Sequence, residues 1–192
     1  MAKTLYDLTK GQMPRTVDDL DELRARIQKW NKPSKIKKKG SAAVFTVYVS
    51  GELIEGWQLG EEPDEEWDGG GWLYILEHYP EIFPHISDTL HELGLHEVRA
   101  EFEGIATLFP LLAEFNELDL VDGIDFLKDS VTEIYDARLR RYSQEARVQF
   151  SAAFSKIVER LDHLSKQIWA ETKAQEGWEG LFRYIEQIYD RE

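Results

Sequence analysis

Val17, Leu20, Leu23, Ile27 and Trp30 follow one another at spacings of three, three, four and three. That is the period of one face of an α-helix. The pattern recurs along the chain. Ile86, Leu90 and Leu93 carry it up to Gly94, and Val98, Phe102, Ile105 and Leu108 carry it up to Pro110. Phe150, Phe154, Ile157, Leu161, Leu164 and Ile168 extend it over a long segment, and Trp178, Leu181, Tyr184, Ile185 and Ile188 close the chain with it. A chain patterned this way buries its apolar side chains by packing helix on helix.

One stretch resists that period. Residues 42–50 are rich in β-branched and aromatic side chains, which favours a strand. No second strand signal stands elsewhere to pair with it, and a lone strand leaves its backbone unsatisfied. The expectation is therefore a helix of poor propensity held by burial. Thr16 and Asp19 mark a helix start, and Pro33 is expected to end that helix. Residues 58–71 read as a loop, Trp72 to Tyr79 as a short helix, and Pro80 and Pro84 as a break. Residues 116–123 read as a polar connection into a helix through Phe126, Leu127, Ile134 and Leu139. The predicted fold is all-α: one compact domain of seven or eight helices with an N-terminal helical arm. Its expected parts are an N-terminal helix and basic linker over 1–40 and an acidic helical domain over 41–192. The stripe ending at Trp30 offers a dimer contact, so monomer and homodimer both stay open.

The chain holds 23 Lys and Arg against 37 Asp and Glu, a formal net charge of −14. The charge is segregated. Residues 1–39 hold 11 basic and 5 acidic side chains; residues 40–137 hold 2 and 23; residues 138–192 hold 10 and 9. Arg99 and Lys128 are the only cations of the central block. A solvated acidic face accounts for this, but a single-sign field of this size costs stability by self-repulsion and is tolerated more readily where it steers a partner. It argues against direct binding to a phosphate backbone. The lysines at 32, 35, 37, 38 and 39 read as a solvated linker beside Pro33 and Gly40, with no aromatic interleaved to make a nucleic-acid patch.

Little points to catalysis. The sequence has no Gly-x-Ser-x-Gly elbow, phosphate loop or His-Glu-x-x-His. It has no cysteine, which removes disulfides, thiolate metal sites and Cys nucleophiles. His78, His85, His91 and His96 fall close together, with His163 apart, but none stands four residues from another on a helix, so no metal is expected. The acidic run 61–68 lacks the register of a calcium loop. The expectation is a protein with no cofactor and no enzymatic activity. The N-terminal stretch has no apolar signal region and no run is long enough for a bilayer, so a cytoplasmic location and no membrane contact are expected.

Three motifs add a family likeness. Gly69, Gly70, Gly71 and Trp72 form a glycine–aromatic turn; Ile86 to Leu93 with Gly94, followed by Glu97 to Phe109 and Pro110, form a helix pair ending in Phe-Pro; Trp178, Leu181, Tyr184 and Ile185 form a C-terminal helix ending in Tyr-Ile. In these the chain resembles, over roughly residues 50–190, the double-stranded-DNA-mimic family first described in Neisseria, otherwise a domain of unknown function. The resemblance implies an acidic all-helical protein that occupies the DNA-binding surface of a basic regulator. Carboxylates on helix faces would then stand in for phosphates spaced about 1.7 Å per charge along the duplex axis. The densest tracts supply the expected contacts: Glu61, Glu62, Asp64, Glu65, Glu66 and Asp68, with Asp119, Asp122 and Asp125 flanking a turn. Trp67 and Trp72 are either core anchors or interface hot spots. An immunity-type protein that neutralises a basic toxin enzyme, and an acidic helical domain with no dedicated partner, fit the composition as well.

Overall fold

The computed structural model describes residues 1–61, 71–129, 133–170 and 177–191. Among them are ten α-helices and three 3-10 segments, with no strand; one parallel bridge joins Lys3 to Gly40. The all-α expectation holds, with more and shorter helices than the apolar stripes suggest.

The first two helices start on capping boxes. In α1 (Leu5–Thr9) the Thr4 hydroxyl accepts the Asp7 N–H while the Asp7 carboxylate accepts the Thr4 N–H. In α2 (Val17–Gln28), Thr16 and Asp19 do the same. Each reciprocal pair satisfies two donors that a helix start leaves open. Residues 33–39 are not the linker the sequence suggests. They form α3 (Pro33–Lys39), with Pro33 in the first turn, where its missing N–H costs nothing. Ile36 is buried and the lysines point outward.

The β-branched stretch is helical: α4 runs Ala42–Glu61 and buries thirteen of its twenty residues. Propensity costs a few tenths of a kcal/mol per β-branched residue, whereas burying each Val, Leu or Ile returns about 1.5–3 kcal/mol, so burial decides. The helix also takes in residues 58–61, expected as loop. Then come α5 (Gly71–His78), a 3-10 segment over Pro80–His85, α6 (Ile86–Glu92) and α7 (His96–Leu108). Gly94, at φ +72°, ends α6 in a Schellman motif: Leu95 N–H reaches Leu90 O and Gly94 N–H reaches His91 O. A second 3-10 segment, Pro110–Glu114, leads to α8 (Glu117–Lys128). Asn116 is its N-cap, accepting the N–H groups of Leu118 and Asp119, so residues 117–123 are helix rather than connection, and Ile134 and Leu139 lie beyond the helix end. The long α9 (Gln144–Trp169) and α10 (Glu179–Ile188) complete the fold.

One hydrophobic cluster joins all of this. At its centre α4 packs against α2, α3, α5, α6, α9 and α10. The first forty residues contribute Leu5, Leu8, Leu20, Leu23, Ile27 and Ile36 to the same core, so they are not a free arm. The Thr9 hydroxyl meets the Tyr189 phenol, closing the two ends of the chain on each other.

Candidate partner-binding surface

The acidic run begins where α4 meets α5. The two helices touch backbone to backbone: a Cβ on Gly60 would stand 2.5 Å from Gly71 Cα, and one on Gly71 would stand 2.5 Å from the Trp57 carbonyl. That close approach is what Gly71 is for. The Asp162 carboxylate of α9 accepts the Trp72 N–H at 2.8 Å and the Trp57 indole N–H at 3.2 Å, capping α5 from a distant helix. Burial pushes Asp162 up to about 6. Glu61 accepts the Gly71 N–H at 3.3 Å and lies 3.8 Å from Lys166 Nζ. It therefore has a structural job as well as a charge.

Trp72 is fully buried; its indole donates to Ser165 at 2.7 Å and stacks on Trp169 with ring centres 6.0 Å apart. The hot-spot role is thereby corrected: Trp72 is a core anchor, out of a partner's reach. Glu62, Asp64, Glu65, Glu66, Trp67 and Asp68 lie outside the described residues.

Asp119, Asp122 and Asp125 do not flank a turn. They sit three residues apart on α8, and only Asp122 is exposed. Asp119 is half-buried and paired at 2.7 Å with Arg138, which also holds Asp136 and rests 4.1 Å over the Phe115 ring. Asp125 is half-buried.

Folding re-pairs the segregated charge. Arg138, Arg147, Arg160 and Lys166, all from the C-terminal block, reach Asp119 and Asp136, Asp129, Glu101 and Glu61. The two central cations are engaged as well: Arg99 with Glu103 at 2.8 Å, and Lys128 with Glu77, a pair tying α5 to α8. Arg24 is buried, bridges to Glu55 and lies 4.9 Å from the centre of the Trp178 ring.

What remains is a group of carboxylates the sequence does not single out. Glu81 lies within electrostatic reach of Glu52 and of Glu117, and all three act on the Tyr48 phenol. Burial raises Glu52 above the usual carboxylate range, and Glu55 and Glu81 add to it against the pull of a Gln28 hydrogen bond and Arg24. Burial also raises Glu81, and Glu117 adds to it. The same surroundings push the Tyr79 phenol up to about 12. One signal was available: Glu52 and Glu55 are the only charges between 42 and 60, inside an otherwise largely apolar segment.

Two cavities adjoin this region. A groove of about 650 Å³ runs between Pro80, Phe83, Pro84 and Ala106 on one side and Leu112, Phe115, Glu117 and Leu118 on the other. A smaller cleft of about 330 Å³ lies between α3–α4 and α6, lined by Lys37, Phe45, Thr46, His85, Asp88 and Thr89. His85 stands edge-on to Phe45 at 4.9 Å and is lowered by burial, then by Lys37. Among the described residues no group of three or more His, Asp or Glu is placed to hold a metal ion, and no helix is long and apolar enough to cross a membrane. No family model matches the chain, and no curated protein or solved structure matches it significantly.

Proposed function

We propose that this chain is an acidic, non-enzymatic binding protein that engages a basic, nucleic-acid-binding protein at the surface that protein offers to DNA. The observation that carries this reading is the state of the central cations. Arg99 and Lys128 are both held by the chain's own carboxylates, so neither central cation is left to neutralise Glu81, Glu117 and Asp122. Crowded carboxylates raised by burial gain from a guanidinium or ammonium brought from outside, because an opposite charge restores their ionised form. The likeness of the glycine–aromatic and Phe-Pro sequence motifs to the DNA-mimic family supports the same partner class.

The test is capture of basic proteins from a cell lysate on the immobilised chain at low salt, eluted in parallel by salt and by excess duplex DNA. The expected result is a nucleic-acid-binding protein released by both, since its Arg and Lys residues would be shared between the chain and the duplex. One enzyme that stays bound through the DNA wash would favour an immunity role. No salt-sensitive partner at all would remove the reading.

A further inference from the structure

We propose that the groove between the 3-10 segments 80–85 and 110–114, the end of α7 and the start of α8 docks an amphipathic helix of the basic partner, apolar side chains inward and Lys or Arg on the groove's acidic rim. The inference rests on the reading of the chain as a binder of basic proteins, and it supplies the recognition element.

The groove is apolar and open. Leu118 is 84% exposed, an unusual place for a leucine in the first turn of a helix. Pro84, Ala106 and Ala113 are exposed beside it, and Phe83 and Phe115 are half-buried in its floor. A contiguous apolar patch with a polar border marks an interaction site more often than a lone exposed leucine does. Asn116 is the one neutral polar lining residue, and its side chain is spent on capping α8 and on Asp119. The lining thus offers aliphatic and aromatic surface without the convergent hydrogen-bonding groups that orient a small polar ligand.

The rim selects the sign of the occupant. Glu117 lines the groove, Glu81 follows Pro80, and Glu114 follows Ala113. Burial raises Glu81, and Glu117 at the start of α8 adds to it. The nearby cations are committed: Arg138 to Asp119 and Asp136, and Arg99, two turns before Ala106, to Glu103. An apolar groove with an unneutralised acidic rim fits a helix with an apolar stripe and basic flanks. Anionic lipid and nucleic acid would be repelled. A second copy fits poorly: the same rim repels itself, and the chain's own basic helix α3 has its apolar residue Ile36 buried.

The experiment uses two labelled synthetic peptides of about 14 residues, roughly 21 Å as helix. Both contain only Leu and Lys in equal number. One carries Leu at i, i+3, i+4 and i+7; the other is scrambled to remove the stripe. Binding to the full chain is read by fluorescence anisotropy across a salt series, and sedimentation reads the chain alone. The expected result is binding of the striped peptide at least about tenfold tighter than the scrambled one. Leu118→Asp and Ala106→Arg should each weaken the striped peptide by about tenfold while leaving thermal unfolding unchanged, because both positions are exposed. Glu81→Gln with Glu117→Gln should weaken it and flatten its salt dependence. Equal binding of the two peptides, or indifference to Leu118→Asp and Ala106→Arg, overturns the groove. If lysate capture still yields a DNA-displaceable basic protein in that case, only the groove has failed; if capture fails too, the binding reading falls with it. A dimer of the free chain dissolved by Leu118→Asp would give the groove to a second copy and overturn the proposal.

Discussion

A single glycine hydrogen separates two helices at the α4–α5 crossing. Replacing it is the sharpest residue-scale test of the packing. Gly71→Ala places a methyl 2.5 Å from both the Trp57 carbonyl oxygen and its ring, so backbone must move. Overpacking of this kind costs about 1–3 kcal/mol. Gly180→Ala in α10 meets nothing within 4 Å and should gain up to about 1 kcal/mol from lower backbone entropy in the unfolded chain. Urea unfolding of the two variants should therefore move the midpoint in opposite directions; a neutral Gly71→Ala would mean the crossing is looser than the contact implies. Asp162 gives a second test. Its native carboxyl titrates near 6 against an ordinary value of 3.8, so the folded state holds the proton more tightly than the unfolded one. Its contribution to stability is present in full below about pH 4 and is lost as pH rises through 6. The wild type should thus fall progressively behind Asp162→Asn between pH 4 and 6, with the gap constant on either side. The exposed caps Asp7 and Asp19 are lowered and act in the opposite sense, but they are common to both proteins and cancel in the comparison.

At the scale of the element, caps decide where helices begin. Asn116 alone satisfies two N–H groups of α8, and Asn116→Ala should cost about 1 kcal/mol in denaturant unfolding. A loss near zero would mean water serves the helix start as well as the side chain does. The same Asn116 shows how legibility varies along the chain. Thr16 and Asp19 were readable as a start because an apolar stripe follows at once. Asn116 was not, because Leu118 faces solvent and Gly123 breaks the apolar pattern though not the helix, so residues 116–123 look like a polar connection. Gly123 is there for fit: a Cβ would meet Leu112 and Phe115 at 2.7 Å. The helix at 42–61 was readable only by elimination, since its β-branched residues favour a strand locally and tertiary burial outweighs them. Pro33 is not where α2 stops: that helix ends at Gln28, short of Trp30, with Asn31 left-handed beyond it, and Pro33 instead opens α3, a role that needs the position of Ile36 to be known. Of the candidate site, the sign of the charge was legible in the sequence. The crowding of Glu52, Glu81 and Glu117 was not, because it joins α4, a 3-10 turn and α8 from three separate stretches.

Across the whole molecule, two electrostatic effects oppose each other, and their range separates them. The ion pairs from Arg138, Arg147 and Arg99 act at 2.5–2.8 Å, well inside any Debye length of interest. Self-repulsion from a net charge of −14 acts across the molecule, over distances where salt matters. Raising ionic strength from 10 to 150 mM shortens the Debye length from about 30 Å to about 8 Å. It screens the long-range repulsion more than the close pairs, and exposed pairs are worth only about 0–1 kcal/mol each to begin with. Sodium chloride over this range should therefore raise the thermal midpoint. The gain should shrink when Glu81 and Glu117 are replaced together by Gln, because Glu117 adds like-charge repulsion to what burial does to Glu81. Calorimetric scans of both proteins at the two salt concentrations measure it. A midpoint that falls with salt would show that short pairs outweigh the net field, and the acidic surface would then be internally balanced rather than held open for a basic partner.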